Sequence, residues 1–307
     1  MSPHRMAAVQ AISIRGLTKR YGRFTAVNNL HLETSEGQVL GFLGLNGAGK
    51  TTTIRILLDL LRPDAGSACI FGHDCQSQGL QARSNIGYLP GEMGIYSDLT
   101  GRAVLDLLAG LNGHATGQKH RHELQERLEL PDSDLRRPLR EYSTGMKRKL
   151  GLIQAFQADP LLLILDEPTE GLDPLMQESF YALIEDVKRR GRTVFMSSHV
   201  LSEVGRVCDR IALLSKGELV LHSTVDECLK LAARRVRVVF DEETAPPTSM
   251  PPGCELTGTA ARLWNLKVEG PLGPLLSKIG ALPVRDIQVA EPRLEDVVLE
   301  YYRKGVQ

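Results

Sequence analysis

The sequence predicts an α/β fold built on a mainly parallel sheet, and three observations carry this prediction. An apolar segment, 39–43, leads into a glycine-rich loop, and the loop leads into a segment with the apolar period of a helix. A second, uninterrupted apolar run, 161–165, is typical of a parallel strand that is buried on both faces. From there, strand and helix patterns alternate as far as residue 221.

In chain order, short apolar stretches separated by turn residues predict strands at 9–14, 27–32, 39–43, 68–71 and 86–89. The helix after the glycine-rich loop carries Ile54, Leu57, Leu58 and Leu61 on one face. An inserted helical region follows, with helices at about 104–111, 124–130 and 145–156. Strands and helices then alternate, at 161–165, 180–187, 193–196, 200–207, 211–214 and 219–221.

The pattern changes after residue 230. We therefore predict a first domain at 9–230, with its helical insertion at about 95–158, and a small α+β domain at 231–307. The small domain has predicted strands and helices at 236–240, 263–268, 275–279, 284–289 and 294–302. Its last helix presents Val297, Val298, Tyr301 and Tyr302, which either support a dimer or fill the domain's own core.

Composition excludes several classes of protein. The 37 basic residues balance the 37 acidic ones, so no global charge favours nucleic acid or an anionic membrane. The five cysteines are scattered and form no C-x-x-C pair, which predicts reduced thiols in the cytoplasm. No apolar run approaches the roughly 18 residues that span a bilayer.

The glycine-rich loop fits the pattern G-x-x-x-x-G-K-[ST], which binds phosphate. Loop amides and the dipole of the following helix together favour an anion. Lys50 can reach the β- and γ-phosphates of a nucleotide, and the Thr51 hydroxyl can ligate Mg²⁺. The candidate phosphate-binding residues are Gly44, Asn46, Gly47, Ala48, Gly49, Lys50, Thr51 and Thr52.

Two carboxylates follow the buried apolar run. A carboxylate at the tip of a central strand, beside a phosphate loop, is placed to act with Mg²⁺, and we assign Asp166 that role. Glu167 is the candidate general base for an attacking water. His199 follows another strand tip and could contact the γ-phosphate, although a lone histidine is more often structural. Tyr21 could stack on adenine or be simply half-buried.

A local rule fails near residue 145. Ser143 or Thr144 is placed to cap a helix, yet Lys147, Arg148 and Lys149 then crowd its first turn. Cations are unfavourable at that end of a helix dipole. Either an anion docks there or the three cations form a solvated face.

These motifs, in this order, resemble the ATP-binding cassette (ABC) family over about residues 12–221. The resemblance lies in the phosphate loop, in Leu161–Pro168 with the following T-E-G-L-D-P, in Ser197–His199 and in Tyr142–Met146. It implies a P-loop NTPase with a RecA-like core, an antiparallel β subdomain and an inserted helical subdomain. It also implies ATP and Mg²⁺ as cofactors, catalytic roles for Lys50, Asp166, Glu167 and His199, and adenine stacking on Tyr21. Ser143, Gly145 and Asp173 would act across a head-to-tail dimer.

The sequence departs from the family at three places. Leu45 replaces a common proline, and Thr144 and Met146 replace glycine and glutamine. The glutamine expected after Pro90 is absent, and Glu92 is the candidate substitute at the metal.

Residues 86–92, Tyr96, Leu99–Gly101 and the tail from Pro292 resemble the ATPases of ABC-2 type exporters. Such chains pair with separate integral membrane permeases, which implies a peripheral location on the cytoplasmic face of the membrane. The alternative is a soluble regulatory or nucleic-acid-associated cassette ATPase. Those usually carry two cassettes, coiled-coil insertions or basic arms, which the sequence does not show, so no nucleic acid is expected.

Overall fold

The computed structural model describes residues 10–92, 97–111 and 118–304. Tyr96 and parts of the predicted helical insertion therefore lie outside the described residues. The chain divides into two compact units between His222 and Ser223, whereas the sequence suggested a division after 230. The difference arises from a helix at Val225–Leu231, which Thr224 and Glu227 begin with a reciprocal capping box.

The strands, numbered in chain order, are β1 Gln10–Tyr21, β2 Phe24–Ser35, β3 Val39–Gly44, β4 Ala65–Ile70, β5 His73–Asp74, β6 Ile86–Leu89, β7 Leu162–Asp166, β8 Thr193–Ser198, β9 Arg210–Ser215, β10 Glu218–Thr224, β11 Arg234–Phe240, β12 Cys254–Ala260, β13 Leu263–Val268 and β14 Val284–Val289. The helices are α1 Lys50–Leu57, α2 Gly79–Arg83, α3 Gly101–Leu111, α4 Gln118–Arg127, α5 Asp132–Leu135, α6 Thr144–Phe156, α7 Pro174–Arg189, α8 Leu201–Val207, α9 Val225–Leu231, α10 Gly273–Ile279 and α11 Leu294–Lys304.

A six-stranded sheet forms the centre of the first unit, in the order β10-β9-β3-β8-β7-β6. Its strands β9, β3, β8, β7 and β6 pair in parallel. Every residue of β3 and β7 is buried, as expected for central strands covered on both faces. The carboxyl ends of β3, β7 and β8 therefore lie side by side, which is where open parallel sheets place their ligands.

A second sheet of the first unit has the order β2-β1-β4-β5, and its paired strands are antiparallel. Its inner face shares one apolar core with α1 and the central sheet, including Ile12, Leu30, Phe42, Ile54 and Phe195. The predicted α/β class, with an antiparallel β part and a helical insertion, is therefore confirmed.

The second unit is an antiparallel sheet in the order β12-β13-β11-β14 with helices. Its core centres on Trp264 and Phe240, whose ring centroids lie 4.6 Å apart, and on Leu275 of α10. Helix α11 packs against α9 of the same unit, and its Val297 and Val298 are buried. These two valines therefore fill the interior, which was one of the two alternatives left open.

Several elements differ from the sequence prediction. Helix α1 ends at Leu57 instead of continuing to Leu61, because Asp59 adopts a left-handed φ of 56°. The unpredicted elements are helices α2, α5 and α9 and strands β5 and β12. Each has at most seven residues, too few to show a clear apolar period.

Candidate active site

The loop between β3 and α1 is shaped by glycines. Gly49 has φ 108°, and a Cβ there would lie 2.4 Å from the carbonyl oxygen of Ala26, so no other residue fits without moving β2. Helix α1 begins directly after it without a side-chain cap. The first amides of the helix thus face an approaching ligand unblocked by a capping side chain, as an anion-binding helix start requires.

Lys50 lies between the loop and the end of β7. Its side chain is 6% exposed, and Nζ donates to the carbonyl oxygen of Gly44 at 2.6 Å. The same Nζ lies 3.3 Å from Oε1 of Glu167. The predicted phosphate-binding cation and the predicted general base therefore meet at one point.

Asp166 is buried and accepts two hydroxyl hydrogen bonds. Thr51 Oγ1 donates to Oδ2 at 3.1 Å, and Ser197 Oγ donates to Oδ1 at 2.5 Å. The structure thus brings Thr51 and Asp166 together, as the sequence predicted. These hydroxyl and carboxylate oxygens are hard donors of the kind Mg²⁺ prefers.

Glu167 is held in an uncommon conformation, with φ 49°. Its amide donates to Ser197 Oγ at 3.0 Å. Its Oε2 lies 2.8 Å from Nδ1 of His199 and accepts the His199 amide at 3.3 Å. His199 is therefore a direct hydrogen-bonding partner of Glu167, and its predicted catalytic role stays a prediction.

The start of α6 resolves the conflict seen in the sequence. Ser143 is the cap, since its Oγ accepts the Met146 amide at 3.2 Å. Arg148 is buried and donates to the carbonyl oxygens of Pro90 at 2.9 Å, Gly91 at 2.8 Å and Glu170 at 3.1 Å. Arg148 therefore neither binds a docked anion nor belongs to a solvated face, so both expectations are wrong for this residue. Its guanidinium instead donates to main-chain carbonyl oxygens.

Arg148 and the residues that it contacts, Pro90, Gly91 and Glu170, line a cleft of about 660 Å³ beside the phosphate loop. Thr51, Asp166, Glu167, Lys147 and Glu92 all border it. Gly91 and Glu92 follow Pro90, where the glutamine was expected, and a Cβ on Gly91 would lie 3.4 Å from Asp166 Oδ2. Among the described residues, no three His, Cys, Asp or Glu side chains form a metal-binding group, so a metal role for Glu92 stays a prediction.

Comparison with known proteins shows which family the chain resembles. The family model described as ABC transporter matches residues 27–170. A daunorubicin resistance ATP-binding protein, DrrA3 of Streptomyces coeruleorubidus, is 34% identical over 294 residues, which cover 94% of this chain and 92% of the relative.

The chain belongs to the ABC transporter family.

Two further comparisons agree. The bacitracin transport ATP-binding protein BcrA of Bacillus licheniformis is 32% identical and covers 96% of this chain and 98% of the relative. A solved ATP-binding subunit of an ABC transporter matches with a TM-score of 0.65 at 27% identity, over 71% of this chain and 91% of that structure. The predicted resemblance is confirmed, and this ABC protein is an ATP-binding ATPase.

Several predicted site residues of this ABC ATPase do not line the cleft, among them Tyr21, Asp173 and Gly145. Tyr21 ends β1, is 49% exposed, and has Lys19 Nζ 5.8 Å from its ring centroid. Asp173 caps α7, with Oδ1 accepting the Met176 amide at 3.0 Å. Gly145 lies beside Gly171, and a Cβ on it would approach the Gly171 carbonyl to 3.2 Å.

The structure also reveals site residues that the sequence analysis missed. Ser197 Oγ donates to Asp166 and accepts the amide of Glu167. Arg148 of α6 connects the segment after β6 with the segment after β7. Glu203 is buried and accepts a hydrogen bond from Ser198, the residue before His199. Its position four residues after His199 was the only sequence signal available.

Within the described residues, no helix is long and apolar enough to cross a membrane.

Proposed function

We propose that this ABC ATPase is the ATP-hydrolysing subunit of an ABC-2 type exporter. The observation that carries the proposal is the cluster of Lys50, Glu167 and His199 at the mouth of the phosphate loop. The two full-length relatives are named for daunorubicin resistance and bacitracin transport, which supports export as the purpose of hydrolysis.

In this proposal the loop amides and Lys50 bind the phosphates of ATP. Thr51 and Asp166 would hold Mg²⁺, which when bound would neutralise charge on the phosphates. Glu167 accepts the proton of the attacking water, and His199 fixes the carboxylate of Glu167. Tyr21 has an exposed ring that can stack on adenine.

The same proposal includes a second copy of the chain. Ser143 and Asp173 lie exposed at the N-terminal ends of α6 and α7, where another copy of the chain can reach them. In a head-to-tail dimer these residues and Gly145 would complete the site of the other copy. The dimer would act on permease subunits at the cytoplasmic face of the membrane.

The exporter role is tested by reconstitution. The tagged full-length chain is purified, with any protein bound to it, from solubilised membranes of the organism that carries it. The purified complex is then reconstituted in proteoliposomes. An integral membrane protein should co-purify and raise ATP hydrolysis, because closure is coupled to its movement. A chain whose hydrolysis rises with nucleic acid, and not with any membrane protein, would favour the alternative, a regulatory or nucleic-acid-associated ATPase.

A further inference from the structure

We propose that Glu203 is a positioning residue for hydrolysis, which holds the segment that follows Glu167 and the segment that precedes His199 together. This inference rests on the proposed role of Glu167 as general base. It assigns a function to a buried carboxylate that touches neither the phosphate loop nor the cleft.

Each oxygen of the Glu203 carboxylate accepts a hydrogen bond from a different segment. Thr169 Oγ1, two residues after Glu167, donates to Oε1 at 2.6 Å. Ser198 Oγ, directly before His199, donates to Oε2 at 3.3 Å. Glu203 is 5% exposed on α8, so one rigid side chain links the turn after β7 to the end of β8.

The link matters because the two segments bring Glu167 and His199 into contact. Glu167 Oε2 and His199 Nδ1 are 2.8 Å apart, and Glu167 keeps an unfavourable φ of 49°. Such a conformation persists only where its surroundings enforce it. The Thr169–Glu203 bond lies two residues from that strained position, and the Ser198–Glu203 bond lies one residue from His199.

The environment argues against a purely structural role. Burial raises the pKa of Glu203, whereas the hydroxyls of Thr169 and Ser198 lower it. The negative charge of Glu167 raises the pKa of Glu203 further. A buried carboxylate surrounded by hydroxyls and another acid costs free energy that an apolar side chain of this size would avoid.

The test compares Thr169→Val, Glu203→Ala and the double variant in the full-length chain. Thr169→Val removes the hydroxyl with almost no change of shape. We expect kcat for ATP hydrolysis to fall about tenfold in each single variant, because the base is misplaced. KM and ATP binding should stay within about twofold, since neither residue reaches the phosphate loop. The double variant should lose no more than Glu203→Ala alone, because both substitutions remove the same bond.

Two further variants separate positioning from general damage. Glu203→Gln still offers an oxygen to Thr169 and an amide to Ser198, so it should recover most of the lost rate. Thr34→Val makes the same change at a buried threonine whose hydroxyl has no partner, and it should leave kcat unchanged.

A wild-type kcat in Thr169→Val, or independent losses that multiply in the double variant, would overturn the role of Glu203. If Glu203→Ala does not fold, Thr169→Val still decides. Normal turnover in Glu167→Gln would instead remove the general base itself, so the two failures are distinguishable.

Discussion

Among the non-glycine residues of the candidate site, Glu167 adopts the uncommon left-handed conformation, with φ 49°. A non-glycine residue in this region costs about 1–3 kcal/mol unless its surroundings compensate. Ser197 holds its amide, Glu203 holds Thr169, and Arg148 holds the carbonyl oxygen of Glu170. Polar contacts therefore hold the strained residue and the residues around it, as the proposed role of Glu167 as general base would require.

Glu203 gives a prediction for stability at this scale. Its raised pKa means that the folded chain binds a proton more tightly than the unfolded chain does. Its unfavourable contribution is absent below the ordinary value of 4.5, grows as pH rises through the folded pKa, and is complete above it. Glu203→Gln should therefore melt at the same or a higher temperature than wild type at about pH 8. This advantage should shrink at about pH 5.

Thermal denaturation followed by circular dichroism at the two pH values measures this difference. Asp74 has the opposite pH dependence to Glu203, because hydrogen bonds from Ser77 and Gln76 lower its pKa. Its stabilising contribution is complete above its unfolded pKa and is lost as pH falls through the folded pKa. A variant Glu203→Gln that is less stable at about pH 8 than at about pH 5, relative to wild type, would contradict this account.

At the scale of elements, many of the candidate site residues lie at the N-terminal ends of helices. Helix α1 begins without a side-chain cap and leaves its amides for phosphate, whereas Ser143 and Asp173 cap α6 and α7. The sequence predicted the starts of α1 and α6, because the glycine-rich loop and a capping serine are local signals. It predicted α7 only from residue 180 and did not predict the Asp173 cap. The contacts of Arg148 could not be predicted, since they join residues 58 and 22 positions apart.

Two substitutions at Asp173 separate its role as the cap of α7 from its proposed role across a dimer. Asp173→Ala removes the cap of α7 and should lower the free energy of unfolding by about 0.5–2 kcal/mol. Asp173→Asn keeps a capping oxygen and should be close to wild type in stability. If Asp173 acts across a dimer as proposed, both variants should hydrolyse ATP more slowly.

Chemical denaturation and steady-state hydrolysis measure the two effects of Asp173 separately. Thr224→Ala is the matched control, because it removes the cap of α9 far along the chain from the motifs and should leave hydrolysis unchanged. Equal stability of Asp173→Ala and Asp173→Asn would show that the cap contributes nothing.

For the whole molecule, the central sheet gathers distant motifs. Parallel pairing of β3, β7 and β8 aligns their carboxyl ends, so residues near 50, 167 and 199 become neighbours. The order of apolar runs predicted this arrangement, because parallel strands have few alternatives. The division of the chain at His222 was not predicted, since a capping box is a weak signal beside the change of composition further on.

A mixing experiment tests the proposed dimer. Lys50→Ala should lose nucleotide affinity, and Ser143→Arg should bind ATP yet not hydrolyse it. An equal mixture should recover about a quarter of the wild-type rate, because random pairing gives mixed dimers with one intact composite site. The rate is followed by phosphate release, with each variant alone as control. A mixture as inactive as its components would argue against sites shared between two copies.

The most direct measurement is ATP hydrolysis by Glu167→Gln, made together with ATP binding to the same protein. The amide keeps the size of the side chain and can still contact His199, but it cannot accept the proton of water. The account predicts a kcat at least about 100-fold below wild type with ATP affinity nearly unchanged. Hydrolysis at a near-normal rate would contradict it, because Glu167 would then not be the general base.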